Sequence, residues 1–272
     1  MKFRPAPIPK NENLRIKAVQ RTGVLDVDNK DLFLVYNELA KQISGAKSSY
    51  TGLIDEKRQY FLAHHGMGDD DFPDEVPRKQ TLCQYALNNT APLIVADLRK
   101  DDRFNSHDVV KSPPHLVFYA GFPIINKDGL ILGTLCVTDF EVLDLSDLQI
   151  DLLIKLTGRL AHQLEIQAEQ REITAKRIID LIAKIRNTLT SIDIDEVVGF
   201  LSVINHQSIE KPIQDRLIKL NLISINKNEI VLSDLGRNLQ KSIGLDSGIY
   251  RRIIVSRDIV ESNLDKMLTN LD

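Results

Sequence analysis

The sequence predicts an α+β or α/β sandwich over roughly the first 145 residues, then a long helix, then a smaller domain of helices and one hairpin. Three observations carry this expectation. Alternation of period two begins at Ser49, and further short strand-like runs follow as far as Phe140, separated by turns and loops. From Leu145 the period changes to 3.6 and holds to about Leu189 without a proline. Beyond Ile192, helix, hairpin and helix signals follow one another at short spacing.

A length of 272 residues favours two domains. With 43% hydrophobic and 27% charged residues, the chain is no disordered polymer, collagen or disulfide scaffold. A net charge of -3 gives no global basic footprint, so any DNA-binding surface has to be local. Both cysteines, Cys83 and Cys136, sit in apolar runs, so a reducing compartment is expected and a structural disulfide is not. The longest apolar stretch, Gly129 to Val137, is too short to cross a bilayer, and the first residues lack the apolar core of a secretory signal. The expectation is a cytoplasmic protein with no membrane partner.

The elements follow in order. Residues 1–11 hold three prolines and read as a flexible arm. Leu14 and Val19, then Leu32, Val35, Tyr36, Leu39, Ala40 and Ile43, recur at helical spacing. Asp28 or Asn29 is placed to cap the second helix and Gly45 to end it. Ser49 to Asp55 and the run from Arg58 to His65 form a hairpin about Glu56-Lys57. A solvated acidic loop leads to a short helix, Leu82 to Asn88, and a buried strand, Pro92 to Asp97. After an irregular stretch, two more strands meet at the turn Lys127-Asp128-Gly129.

The domain from 12 to 145 gives way to a helix over 146–190, capped by Ser146 with Gln149 three residues on. Leu153, Leu156 and Leu160 form one seam; Ile178, Leu181, Ile182 and Ile185 form another. A helix this long with such seams wants a partner chain, as in a coiled-coil homodimer; the alternative is two packed helices broken near Glu169 to Glu172. Residues 191–245 read as a helix from Asp193 to Ile204, a turn or short helix at Ser208 to Lys211, and a helix starting at Pro212. A hairpin about Lys227-Asn228 follows, then a helix capped by Ser233 or Asp234 and ended by Gly244. Residues 246–272 read as a terminal helix.

Several motifs occur in order: DEKRQYFLAHHG, Leu82-Cys83 after Pro77-Arg78, LIVADLRKDDRF, FYAGFPI and GLILGTLCVTD. Together they make residues 12–166 resemble a GAF domain of the bacterial signalling type. The resemblance implies an α+β fold with an antiparallel sheet flanked by helices. It also implies a small-molecule sensor or dimerisation module, coupled by a helix to an output domain. The implied ligand residues are Cys83, Asp97, Arg103, Phe104, Phe118, Tyr119 and Thr138. Each has a structural reading beside it. Asp97 can satisfy loop amides, and Arg103 with Phe104 can close the same loop. Cys83 can pack in the core. Phe118 and Tyr119 face opposite ways in a strand, so one of them belongs to the core.

Relatives that attach a bilin do so through a cysteine near a histidine. The corresponding stretch here holds His107 and His115 but no cysteine, so no covalent bilin is expected and the ligand is unknown. Free-methionine sulfoxide reductases of this fold use reactive cysteines. Cys136 lies instead between Leu135 and Val137 in a strand. Cyclic-nucleotide binders share part of a pattern with Asn126-Lys127, Phe140 and Asp144, but Leu145 stands where the final acid belongs. His64 and His65 face opposite ways and make no metal site. With no catalytic constellation, the chain is expected not to be an enzyme.

The segment from Ile194 to Ser242 is similar to a winged helix-turn-helix. That resemblance makes Pro212 to Asn221 the groove-reading helix and the hairpin the wing. Gln214, Arg216, Lys219 and Lys227 are then the candidate DNA contacts, with Asp215 and Glu229 opposing them. The combined expectation is a sensor whose winged-helix output regulates transcription by binding DNA. Its alternative is a non-catalytic protein-interaction adaptor in which the GAF-like domain is only a dimer scaffold with an empty or filled-in pocket.

Overall fold

The computed structural model describes residues 3–27, 30–66, 72–189, 192–227 and 229–245. The expected caps Asp28 and Asn29, the Asn228 half of the second turn, the Ile178 side chain and the terminal helix lie outside them. The chain divides into two compact units, Met1–Glu172 and Ile173–Asp272.

In the first unit, six strands among the described residues form one antiparallel sheet. They are β1 (Ser48–Ile54), β2 (Arg58–His65), β3 (Glu75–Pro77), β4 (Leu93–Val95), β5 (Phe118–Ile125) and β6 (Ile131–Asp139), in the order β3-β2-β1-β6-β5-β4. The two hairpins therefore meet at β1 and β6, in register from Ser48 opposite Thr138 to Leu53 opposite Gly133. Here the backbones approach closely. A Cβ on Gly133 would lie 2.1 Å from the Gly52 carbonyl oxygen, so only glycine fits.

One face of the sheet is covered by α1 (Glu12–Thr22), α2 (Lys30–Ser44) and the first part of α4 (Asp147–Thr188). Val19, Phe33, Ala40, Phe118, Phe122, Leu135, Leu153, Leu160 and Leu164 fill that interface. Polar residues on this side are satisfied: Ser49 Oγ donates to Asn37 O (2.6 Å) and Thr51 Oγ1 to Asn37 Oδ1 (2.9 Å). The other face is roofed by short 3-10 turns, Cys83–Asn88 and Leu98–Lys100, and by α3 (Asp108–Lys111).

Three local expectations change. The strand expected to be buried at 92–97 is the short edge strand β4, with Ile94 exposed. The acidic loop contributes β3, paired to β2. The arm is docked: Ala6 N donates to Gln84 Oε1 (3.0 Å), Tyr85 Oη to Arg4 O (2.5 Å) and Asn88 Nδ2 to Pro7 O (2.8 Å). Proline removes donors but leaves carbonyl acceptors, and these hold the segment down.

α4 runs unbroken from Asp147 to Thr188. Ser146 and Gln149 form the capping box, Ser146 N donating to Gln149 Oε1 (2.9 Å). The seam drawn through Leu153, Leu156 and Leu160 is corrected. Leu153 and Leu160 are buried against the unit's own sheet, and Leu156 packs partly on it. The outward apolar residues of its first part are Leu148, Leu152 and Ile154.

In the second unit, α5 (Ile194–Ile204), α6 (Lys211–Lys219) and α7 (Asp234–Ser242) surround the hairpin β7 (Ile223–Asn226) and β8 (Glu229–Leu232). Ile185, Val197, Phe200, Leu217, Leu222 and Leu239 form the core. Asp193 and Glu196 make a complete capping box, and Ser233 caps α7. The turn or helix expected at 208–211 is absent; α6 begins directly at Lys211. Among the described residues no helix is long and apolar enough to cross a membrane.

Candidate functional site

The side of the sheet away from α1 and α2 carries the candidate site. Strand alternation sends Tyr50 of β1, Phe61 of β2, Tyr119 of β5 and Cys136 of β6 to this side, where Cys83, Leu98 and Phe104 meet them from the roof. Tyr119 lies over Gly121; a Cβ there would stand 2.3 Å from the tyrosine hydroxyl. Phe61 packs edge-on to Tyr50 (5.4 Å) and Phe72 (4.7 Å).

Four polar atoms run through this apolar layer as a chain. Tyr50 Oη lies 3.4 Å from Cys83 Sγ, Cys83 Sγ 3.5 Å from Cys136 Sγ, and Cys136 Sγ 3.4 Å from Tyr119 Oη. Thr134 Oγ1 sits 3.1 Å from Cys136 Sγ. Burial pushes both tyrosine hydroxyls and the Cys136 thiol well above their usual ranges. Burial opposes the Cys83 thiolate too, but hydrogen bonds from Cys136, Thr134, Thr81 and Tyr119 outweigh it, making Cys83 the more acidic sulfur. Nearby, Gln59 is buried and hydrogen-bonds Thr81 Oγ1 through Oε1, while its Nε2 has no acceptor.

The structure brings Cys83, Phe104 and Tyr119 into this layer. Phe118 is corrected: it points to the opposite face, into the helix-covered core, because it neighbours Tyr119 in the same strand. Asp97 and Arg103 do not meet. Asp97 caps the Leu98–Lys100 turn and binds Arg99 Nε (2.8 Å) and Nη2 (2.9 Å), which holds its carboxyl well below the usual range. Arg103 pairs with Asp101 (2.6 Å) and stacks on Phe104 at 4.8 Å. Both arginines order the loop rather than face the layer. Thr138 hydrogen-bonds Ser48 Oγ (2.7 Å). The residues missed were Tyr50, Gln59, Phe61, Phe72 and Cys136. The pairing of Tyr50 with Cys136 across β1 and β6 is what gathers them.

Asn126 and Lys127, two of the motif residues considered for cyclic nucleotides, are used structurally. Asn126 Oδ1 accepts from Asp128 N (3.1 Å) and Leu130 N (2.8 Å), closing the hairpin turn. Lys127 reaches Glu165 (2.9 Å) and Glu169 (2.8 Å) on α4. His107 caps α3, its Nδ1 accepting from Val109 N (3.2 Å) while Nε2 meets Gln80 O (2.7 Å). Among the described residues no group of three His, Cys, Asp or Glu side chains is arranged to hold a metal.

The candidate DNA contacts fare differently from one another. Arg216 is taken by the start of α5: it binds Asp193 at 2.7 Å and has Asp195 and Glu196 within 3.9 Å. Its charge is spent inside the domain. Gln214 is half-buried, and Lys219 and Lys227 are exposed.

Comparison with known families settles the first unit. The GAF domain model matches residues 22–166. The chain belongs to the GAF domain family. Members of this family act as signalling and sensor domains. A cyclic di-GMP phosphodiesterase of Pseudomonas aeruginosa is 32% identical over 142 residues, a match covering 50% of this chain and 22% of that protein. The chain thus corresponds to about a fifth of that relative's length. The expectation that the chain is not an enzyme is corrected by this finding, since the relative is named as an enzyme.

Two solved structures are similar to part of the chain at low identity. The GAF domain of an Acinetobacter phosphoenolpyruvate-protein phosphotransferase is 15% identical with a TM-score of 0.41, covering 56% of this chain and 93% of that one. The second GAF domain of DevS from Mycobacterium smegmatis is 14% identical with a TM-score of 0.42, covering 53% and 97%.

Proposed function

We propose that this protein is a homodimeric sensory signalling protein in which the GAF domain responds to a small molecule and α4 carries the response to the second unit. The observation behind this reading is α4 itself. Residues up to Leu164 pack on the GAF sheet, and Ile185 of the same unbroken helix lies in the core of the second unit. A ligand acts through such a helix only if it favours one of its arrangements over another. The ligand site is the layer of Tyr50, Phe61, Tyr119 and Gln59, where the unpaired Gln59 Nε2 offers a donor to a polar molecule. The relative named a cyclic di-GMP phosphodiesterase supports a cyclic-dinucleotide signalling setting.

Two exposed stripes support the dimer. Leu32, Val35 and Leu39 line α2 at helical spacing, and Leu148 and Leu152 line α4. Beside them runs an open groove of about 710 Å³ lined by Ile43, Leu152, Leu156, Arg159 and His162.

In this reading the second unit is a winged-helix-like output that recognises a protein. Ile194, Val198, Ile218 and Ile225 are exposed there, and Arg216 is tied to Asp193. DNA binding and transcription regulation form the second reading, favoured by exposed Lys211, Lys219, Lys227 and Lys241.

The test has two parts. Small molecules are screened by thermal shift on the full chain, and each hit is followed by hydrogen exchange. A ligand that slows exchange in the sheet and changes it in α5 to α7 supports the coupling; unchanged exchange in α5 to α7 refutes it. Duplex DNA affinity at low and moderate salt decides the output. Salt-dependent binding weakened by Lys219→Ala plus Lys227→Ala establishes the DNA reading, and absence of binding at low salt rejects it.

A further inference from the structure

The two cysteines lie 53 residues apart in sequence and in contact in space. Cys136 is fixed in the middle of the central strand β6, and Cys83 opens the turn Cys83–Asn88 that roofs it. Both are fully buried, and their sulfurs stand 3.5 Å apart. A disulfide needs about 2.05 Å, so closure asks for a movement of roughly 1.5 Å. The 3-10 turn is the partner able to supply it, because β6 is held by neighbours on both sides. Tyr50 and Tyr119 place one hydroxyl on each sulfur, and Thr134 adds another beside Cys136. The two tyrosine hydroxyls can each donate to a thiolate, while Thr134 Oγ1 accepts from Cys136. Nothing in the proposed ligand response uses this pair.

We propose that Cys83 and Cys136 are an oxidation site that closes to an intramolecular disulfide under peroxide, so that the sensor layer also responds to oxidants. The Cys83 thiolate attacks one oxygen of hydrogen peroxide. The S–O bond forms, the O–O bond breaks, and hydroxide leaves to become water on taking up the proton that Cys83 gave up. The Cys136 sulfur then attacks the resulting sulfenic sulfur. The S–S bond forms, the S–O bond breaks, and a second water carries away the Cys136 proton. Two thiols are oxidised, and one peroxide is reduced to two waters. Closure draws the turn toward β6, and with it Gln84, which holds the amide of Ala6. The docked N-terminal segment is therefore the part of the fold that reports the change.

The experiment treats the full chain with hydrogen peroxide, quenches it, denatures it in iodoacetamide and reads intact mass and peptides. The expected product has lost two hydrogens, carries no alkylation at either cysteine, yields a cross-linked peptide joining Cys83 to Cys136, and reverts with dithiothreitol. Cys83→Ser and Cys136→Ser, each checked by circular dichroism, abolish the cross-link. Two results overturn the proposal. One is full alkylation of both thiols after peroxide exposure that does oxidise the urea-unfolded chain. The other is oxygen addition at a single sulfur with no cross-linked peptide.

Discussion

Glu12 holds two buried arginines, and its removal tests how the fold handles them. Its carboxylate receives Arg15 Nη2 (2.8 Å) and Nε (2.9 Å) and also Arg78 Nη1. Arg15 is fully buried and otherwise donates only to carbonyls, those of Ile54 and Asp55 at 2.5 and 3.4 Å and Ile131 at 3.5 Å. Burial works against the Glu12 carboxylate, but the two guanidinium groups outweigh it and bring its pKa from 4.5 to about 2. At about 1.4 kcal/mol per pH unit, that difference contributes on the order of 3 kcal/mol at neutral pH. Breaking a buried pair from one side costs about 3–5 kcal/mol by general experience, in the same range. Glu12→Gln is therefore expected to lose about 3 kcal/mol at pH 7.

The sign of the pH effect follows. The folded pKa is depressed, so the contribution is complete above 4.5 and is lost as pH falls toward 2. The gap between wild type and variant shrinks to roughly half by pH 3. Urea titration followed by tyrosine emission measures it in the right place. The chain has no tryptophan, and five of its six tyrosines (Tyr36, Tyr50, Tyr60, Tyr85 and Tyr119) lie in the first unit. A gap below about 1 kcal/mol at pH 7, or one that stays constant down to pH 3, refutes the reasoning.

Other outcomes follow from single contacts. Burial outweighs the Gln80 carbonyl and Asp108 and holds the folded pKa of His107 below 6.5; the unfolded chain binds the proton first, and stability falls as pH drops below about 6.5. His107→Asn keeps a cap and flattens the urea midpoint between about pH 7 and 5; an unchanged slope rejects this assignment. Gly133→Ala forces a Cβ into the Gly52 carbonyl and is expected to cost more than about 3 kcal/mol; a thermal midpoint like wild type counts against the close approach. Asp193→Ala removes both the α5 cap and the Arg216 partner, and should loosen the second unit by about 1–2 kcal/mol, seen as faster hydrogen exchange in α5 and α6 alone. Leu148→Asp with Leu152→Asp should convert the dimer to monomer in sedimentation velocity at micromolar concentration; a monomeric wild type ends the dimer reading.

The legible parts of the fold were those fixed by neighbours in sequence. The stop of α2 at Gly45, the Lys127–Gly129 turn, the capping box at Ser146 and the Ser233 cap of α7 all stand as their residue types require. β3 was hidden because it is a three-residue edge pairing with no apolar period. The α4 seam was misread because periodicity shows that a face is buried, but not which surface buries it. In the candidate site, opposite orientations for Phe118 and Tyr119 were foreseeable from strand geometry. The meeting of Cys83 with Cys136 was not, because it depends on which strand lies beside β1. Arg216 looked available only while the acids at the start of α5 were distant in the chain.

The sheet order also sets a timetable for synthesis. β1 and β2 are complete by His65 and can pair at once, but the other neighbour of β1 is β6, which ends at Asp139. At roughly 5–20 residues per second, the ribosome needs on the order of several seconds to supply it. Throughout that interval one edge of β1 stands without its partner, and an open strand edge pairs with whatever extended chain reaches it first. The nascent protein is thus most exposed to mispairing between the emergence of Ile54 and that of Gly133. Variants that slow translation across residues 66–130 lengthen that exposure without altering the finished structure.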